Sequence, residues 1–500
     1  MGIVGWLRWG WRQLTSMRVA LILLFLLALA SIPGSLFPQR GINPTKVQQY
    51  LALHPGSGPI LDRLGFFDVY ASPWFASVYL LLFVSLIGCV VPRLRVHWKG
   101  LRALPPVAPS RLEKLPAHQS VLVTSTPAQV LEQAAEDLDK RGFRVRREDD
   151  FVSAEKGYLH ETGNLIFHAA LVVILIGVAT GSLYGYRGNV LVREGQGFSN
   201  TLTQYDSFKP GRLFVPEKLT PFSFNLRNFS VSFETQGSQR GAPREFYADV
   251  DYQATPAAPA QPSRIEVNKP LKINGSKIFL VGWGYAPRVT VRDGKGNVVL
   301  KDSVAFLPQD GNFTSSGVIK SPDAKPKELG IQAIFLPTTS VDPQRGPISQ
   351  FPAAVTPGLF MSAWVGDLGL NTGAPQSIYK LDTSKMKKLG IDALAPGQTW
   401  KIPRGAGTVT FDGVSQFATF SIAHDPGTPV ALIAAIVSIA GLVMSLFTRR
   451  RRIWVRTTID DQGRTVVAVA GLARTENTEI ESDVEAVITS VVNREEKGHA

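Results

Sequence analysis

Four apolar runs, at 17–37, 74–91, 164–184 and 427–447, constrain this 500-residue chain more than any other feature. Each is 18 to 21 residues long, and from Val19 onward none carries Asp, Glu, Lys or Arg. A bilayer core takes about 20 apolar residues in helical form, because each backbone N–H and C=O must find its partner inside the segment. Four transmembrane helices follow. With 44% hydrophobic residues overall, enough polar chain remains between the runs for soluble parts.

The basic residues near the span ends set the orientation. Arg8, Arg12 and Arg18 open the chain; Arg93, Arg95, Lys99, Arg102, Arg111 and Lys114 follow the second span; four arginines at 449–452 follow the fourth. Residues 405–426, just before the fourth span, carry neither Lys nor Arg. The positive-inside rule then gives a cytoplasmic tail 1–16, an outer loop 38–73, a cytoplasmic segment 92–163, an extracytoplasmic region 185–426 and a cytoplasmic tail 448–500. Both termini lie inside. An alternative reading makes the first span a signal peptide cut after Ala28-Leu29-Ala30, but apolar character runs past that point through Ile32, Leu36 and Phe37.

The net charge of +13 is dispersed, with +7 in 185–426 and no basic block beyond the arginines flanking the spans, which argues against nucleic acid. The lone cysteine, Cys89, falls inside the second span, so the extracytoplasmic region has no thiol for dithiol chemistry.

Between the spans the pattern changes. Loop 38–73 is turn-rich, with HPGSGP at 54–59, and too short for a core of its own. After the stiff linker LPPVAPS at 104–110, residues 118–157 read strand, helix, strand, strand, with Thr126 capping, Pro127 opening and Gly142 closing the helix. The tail offers a hairpin over 452–471 turning at DDQG, then a helix within 478–493. Each piece is too small to bury much alone, so the two are expected to join in one small α+β cytoplasmic module. Region 185–426 shows period-two alternation at 221–234, 245–253, 277–293 and 407–425, which predicts an all-β, sandwich-like domain or two stacked β-lobes, with ATPAAPAQPS at 254–263 as a loop.

Catalytic signatures are missing: there is no G-x-S-x-G, Walker loop, G-x-G-x-x-G or H-E-x-x-H, and Ser384 with Lys387 matches S-x-x-K without companion motifs. That disfavours a hydrolase. Of seven histidines, His97, His118, His160 and His499 fall on the cytoplasmic side, His54 and His424 outside, and His168 alone lies within a span. An imidazole in a membrane needs a partner. It either hydrogen-bonds between helices, together with Asn164 on the same face, or ligates iron porphyrin; no span holds a second histidine, so a second ligand would come from another protein.

SIPGSLFPQ at 31–39, DVYASPWFASVYLLLFVSLIGCVVPR at 68–93, GNLIFHAALVVILIGVATG at 163–181 followed by YRGNVLVREGQ, and PLKINGSKIFLVGWGYAP at 270–287 together resemble the ResB (CcsB) family of System II cytochrome c maturation, from about residue 15 to the fourth span. The resemblance implies transport of haem b across the cell membrane and, with a ResC (CcsA) partner, its attachment to apocytochrome c. It implies His168 as an axial ligand of the haem iron, paired with a histidine of that partner, and a thioredoxin-like protein that supplies the missing thiol chemistry. The chain would be a non-catalytic or shared-site component of a holocytochrome c synthase, with the outer ligands assigned to ResC rather than to His54 or His424. The outer region would shield haem and receive apocytochrome, by strand pairing or through exposed aromatics such as Trp283; packing of Trp283 in the core is the competing expectation. A membrane-anchored scaffold or signalling protein without haem is the alternative from another class.

Overall fold

The structure is a computed structural model that describes residues 2–40, 44–157, 159–344, 346–370, 379–473 and 478–498. His499 lies outside the described residues. The chain divides into two compact units, residues 1–178 with 428–500, and residues 179–427.

The first unit contains nine helices among the described residues: α1 (Ile3–Leu14), α2 (Met17–Leu36), α3 (Pro44–Leu53), α4 (Gly58–Arg63), α5 (Pro73–Arg102), α6 (Pro127–Lys140), α7 (Leu159–Tyr184, whose last turns belong to the second unit), α8 (Thr428–Phe447) and α9 (Thr478–Gly498). Of these, α2, α5, α7 and α8 are long and apolar enough to cross a membrane. The ends have local causes. Ser16 accepts from the Val19 N–H to start α2, and Ser72 accepts from the Phe75 N–H to start α5, with Pro73 in the first turn where its missing N–H costs nothing. Helix α5 runs on to Arg102, well past the apolar stretch that ends at 91, despite Pro92 within it. Helices α7 and α8 touch through small residues: a Cβ on Gly163 would stand 2.5 Å from the Ser445 nitrogen and 2.6 Å from the Gly441 carbonyl, so only glycine permits this approach.

Two shorter segments are helical as well. The N-terminal tail is helical, as α1. Loop 38–73 packs locally, burying Val47, Phe67 and Val69 around α3 and α4, and Gln39 ties it together by donating to the Phe37 and Phe66 carbonyls and accepting from the Val69 N–H. Aromatic packing in a short helical turn substitutes for length.

Strands from either side of the chain also combine in this unit. One antiparallel sheet runs in the order Ala117–Val123, Thr465–Ala473, Arg451–Ile459, Phe151–Lys156, Arg144–Arg147. Helix α6 carries a capping box from Thr126 and Gln129, and the chain leaves it through Gly142 at φ +77°. Its residues Val130, Leu131 and Leu138 share a core with Val484 and Val487 of α9 and with Val455 and Val469 of the sheet.

The second unit is built on two long antiparallel strands, Ser276–Asp293 and Gly407–His424, paired from Ser276 with His424 to Asp293 with Gly407. The ribbon serves two cores. Around the Ser276 end, Ile278, Phe420 and Ile422 pack with Phe224, Leu226 and Val250 from the four-stranded sheet formed by 197–199, 223–233, 243–253 and 261–266. Around the Asp293 end, Val289, Val291 and Phe411 pack with Ile331, Phe335 and Leu359 from the five-stranded sheet of 307–308, 315–321, 329–336, 358–366 and 386–394. Residues 261–263, read from the sequence as loop, are the start of a strand that pairs with Val250–Tyr252; Pro262 is tolerated because the strand is at the sheet edge.

Candidate functional site

The apolar faces of α2, α5 and α7 enclose a cavity of about 530 Å³, within the ~300–1,000 Å³ usual for small-molecule sites. Each helix contributes one stripe at helical spacing: Met17, Leu21 and Leu24; Leu82, Leu86, Cys89 and Arg93; Asn164, His168, Leu171 and Leu175. Leucine dominates the lining, and the polar groups gather toward the end marked by Met17, Arg93 and Asn164.

His168 is half-buried in this wall, its ring edge-on to Phe167 at 5.1 Å. Its Nδ1 lies 2.8 Å from the Asn164 carbonyl, one turn back in the same helix. A carbonyl oxygen only accepts, so Nδ1 carries a proton, and in the neutral ring Nε2 then keeps its lone pair. This is the tautomer that a metal-binding imidazole requires, and the Nδ1–H bond fixes the ring's orientation. Nε2 has no hydrogen-bond partner among the described residues, and no bond crosses from His168 to another helix. Among the described residues the bond that His168 makes is within its own helix.

The same cavity holds Cys89, which the sequence alone did not connect to His168. Its Sγ donates to the Thr15 carbonyl at 2.9 Å, which occupies it as a thiol. No cluster of three or more His, Cys, Asp or Glu side chains able to hold a bare metal ion occurs among the described residues. A single available imidazole in an apolar cavity suits a metal that arrives with its own equatorial donors, as iron in a porphyrin does. The residues present therefore fit haem.

A second cavity, of about 520 Å³, shares Arg93, Asn164 and Leu165 with the first and adds His97, Arg144, Glu161 and Arg450. His97 donates or accepts through Nε2 with the Thr162 hydroxyl at 2.8 Å, and its Nδ1 stands 3.6 Å from Glu161. Glu161 is also paired with Arg450 at 3.0 Å. Buried Glu155 binds Arg450 and lies 3.7 Å from Arg144 and 3.6 Å from Arg452. Sequence spacing places Leu82, Leu86, Cys89 and Arg93 on one face, but only the continuation of α5 beyond residue 91 brings Arg93 and His97 to these cavities.

The other histidines are engaged locally. His54 bonds the Tyr50 carbonyl at 3.0 Å and stacks on the Tyr50 ring; His118 bonds the Leu115 carbonyl at 3.0 Å; His160 bonds the Ser445 carbonyl at 2.6 Å. His424 ends its strand stacked on Tyr186, 3.5 Å from the Ser276 hydroxyl. Ser384 is exposed and serves Asp382, whose carboxylate accepts from its backbone N–H at 2.9 Å; Lys387 is exposed on the following strand. Trp283 is half-buried, stacked on Phe313 at 4.1 Å and on Phe229 at 5.5 Å, and it touches both β cores. Packing, rather than display, is its role in the fold.

A model of the ResB-like family matches residues 17–485. The cytochrome c biogenesis protein CcsB of Synechococcus sp. (strain CC9311) is 27% identical over 348 residues, covering 68% of this chain and 72% of that protein. CcsB of Synechococcus sp. (strain RCC307) is 29% identical over 280 residues, 55% of this chain and 60% of that protein, and CcsB of Thermosynechococcus vestitus is 27% identical over 285 residues with the same coverage. Because the family match takes in all four apolar helices and the β region between them, the chain belongs to the ResB-like family.

Proposed function

We propose that this protein is a membrane subunit of a cytochrome c biogenesis complex, and that His168 binds the haem it moves. The observation that carries this reading is the His168 ring itself: Nδ1–H held by the Asn164 carbonyl, Nε2 available in an apolar cavity. The names of the CcsB relatives point to the same process.

In this reading α2, α5, α7 and α8 span the cell membrane, both termini face the cytoplasm, and residues 185–426 stand outside. The sheet built from 117–156 and 451–473, with α6 and α9, is the cytoplasmic module, and the two-cored β region is the sandwich-like extracytoplasmic domain. His168 would hold the haem iron through Nε2. The Asn164 carbonyl prevents the ring from rotating away and raises the basicity of Nε2 by accepting the Nδ1 proton's bond. The leucine stripes would offer apolar surface to the macrocycle's faces. A ResC (CcsA) partner would supply a further histidine to the haem and present it to apocytochrome c. With Cys89 the only thiol and already bonded to Thr15, reduction of the apocytochrome falls to a thioredoxin-like protein.

Co-expression with a ResC-type partner and an apocytochrome bearing C-x-x-C-H tests the proposal. His168→Gly is expected to lower holocytochrome yield by at least about tenfold, with recovery on adding imidazole, because the free base can enter the space the side chain left. Undiminished yield in His168→Gly would remove the haem-ligand role and leave a membrane-anchored scaffold as the better reading.

A further inference from the structure

We propose that Arg93 is the carboxylate anchor of this haem site: it would pair with the propionates of the haem whose iron His168 binds. The inference rests on the haem reading above and adds a second, chemically distinct contact.

Arg93 lies on the same α5 stripe as Leu86 and Cys89, and it lines both cavities, the apolar one with His168 and the polar one beyond. It is therefore at the boundary where a ligand with one apolar and one anionic end would change environment. The neighbouring cations are already committed. Arg450 is paired with Glu155 and Glu161, and Arg144 lies beside Glu155. By contrast, the partner of Arg93 among the described residues is the Met17 sulfur, at 3.1 Å from Nη2. A thioether is a weak acceptor, and a guanidinium has five N–H donors in a planar fork that matches a carboxylate. Arg93 is exposed where it lines both cavities, so its remaining donors are open to a ligand at the end of the leucine-lined cavity.

Geometry favours the same end for the acid groups. Met17 begins α2, Arg93 follows the apolar part of α5, and Asn164 stands near the start of α7, so the three converge at one end of the cavity. His168 is one turn farther along α7 than Asn164, deeper among the leucines. A porphyrin with its iron at His168 would have apolar lining toward the leucines and, among the described residues that line the two cavities, a positive charge without a carboxylate partner at Arg93. An arginine placed here merely to satisfy the positive-inside rule would be dispensable for binding, since Arg95, Lys99 and Arg102 follow it.

The test compares two porphyrins on the full-length complex with its ResC-type partner, depleted of haem: iron protoporphyrin IX and its dimethyl ester, in which both carboxylates are masked. Soret titrations are made on wild type, Arg93→Ala, Arg93→Lys and His168→Gly. We expect Arg93→Ala to weaken binding of the free acid by about tenfold or more, the scale of a lost charge-assisted hydrogen bond, while leaving the ester's affinity unchanged. Arg93→Lys is expected to fall between, keeping the charge and losing the fork. His168→Gly should weaken both porphyrins alike and recover with imidazole. If Arg93→Ala changes neither porphyrin, or both equally, while His168→Gly still behaves so, the anchor is overturned and the haem site stands. If His168→Gly changes neither, the haem site falls and the anchor with it.

Discussion

Phe335 and Phe411, inside the β region, are 0% exposed, whereas Phe25 of α2 and Ile433 of α8 are each 63% exposed. Side chains of one chemical kind are thus hidden by the chain itself in one region and left uncovered in the other. The β region closes two cores around its long ribbon, as a domain in water must. The span helices cover between 6% and 22% of their apolar windows, because lipid is as good a solvent for leucine as another leucine. Where spans do touch, it is through small residues such as Gly163 and Gly441. The gap they leave elsewhere is where a polar, oriented imidazole stands. A region that does not need to close its own packing can hold a ligand-sized cavity without losing its fold.

The largest expected effect contrasts the two regions directly. Phe411→Ala should cost about 3–5 kcal/mol of stability, the usual price of an aromatic truncated in a full core. Ile433→Ala, on a bare span face, should change stability by no more than about 0.5 kcal/mol. Denaturant unfolding in detergent micelles, followed by tryptophan fluorescence, measures both. Equal costs would mean that the span faces are packed rather than lipid-exposed.

A smaller effect sharpens the comparison within the first unit, where the five-stranded sheet follows aqueous rules although it adjoins the spans in sequence. The Glu155 side chain is 2% exposed and faces Arg144, Arg450 and Arg452. Those arginines are partly solvated, which discounts the loss; Glu155→Gln should destabilise the sheet by about 1–3 kcal/mol. Hydrogen exchange at Ser153 and Ile453 would report it, and unchanged protection would show the cluster to be incidental.

The smallest effect is a pH dependence. The Asp460 carboxyl is held below the ordinary carboxylate range chiefly because it accepts the Arg464 backbone N–H, with the Arg464 guanidinium and the Gln462 N–H adding to this. A depressed value contributes stability above the unfolded pKa of about 3.9, and that stability is lost as pH falls through the folded value. The hairpin turn should therefore loosen in acid below about pH 4, and Asp460→Asn should remove that step from an acid titration of the Gln462 and Arg464 amide signals. A step that persists in Asp460→Asn would assign it to another group.

Much of the fold is legible from local rules. Apolar length alone places the four spans, and the Thr126-Pro127 start and Gly142 stop of α6 are local chemistry that the structure repeats. The hairpin over 451–473 turns where DDQG stands, since Asp460 bonds its own loop. What local rules do not reveal is assembly. Alternation at 277–293 and 407–425 marks two strands, but nothing in it says that they pair end to end and serve two cores. Helix α1 has an amphipathic period that a reading of the tail for its charges alone passes over, and the extension of α5 past Pro92 is carried by mixed polar and aromatic residues. His168 stands out in the sequence because an imidazole in a span is rare and costly. Arg93, Cys89 and His97 do not, because their significance comes from neighbours on other helices.

The central claim is that His168 Nε2 ligates haem iron. Its most direct test is the visible absorption spectrum, with a pyridine haemochrome assay, of the complex purified with its ResC-type partner, comparing wild type with His168→Gly before and after adding imidazole. A Soret band that disappears in the variant and returns with imidazole is the predicted result; haem absorbance unchanged by the substitution would contradict the claim.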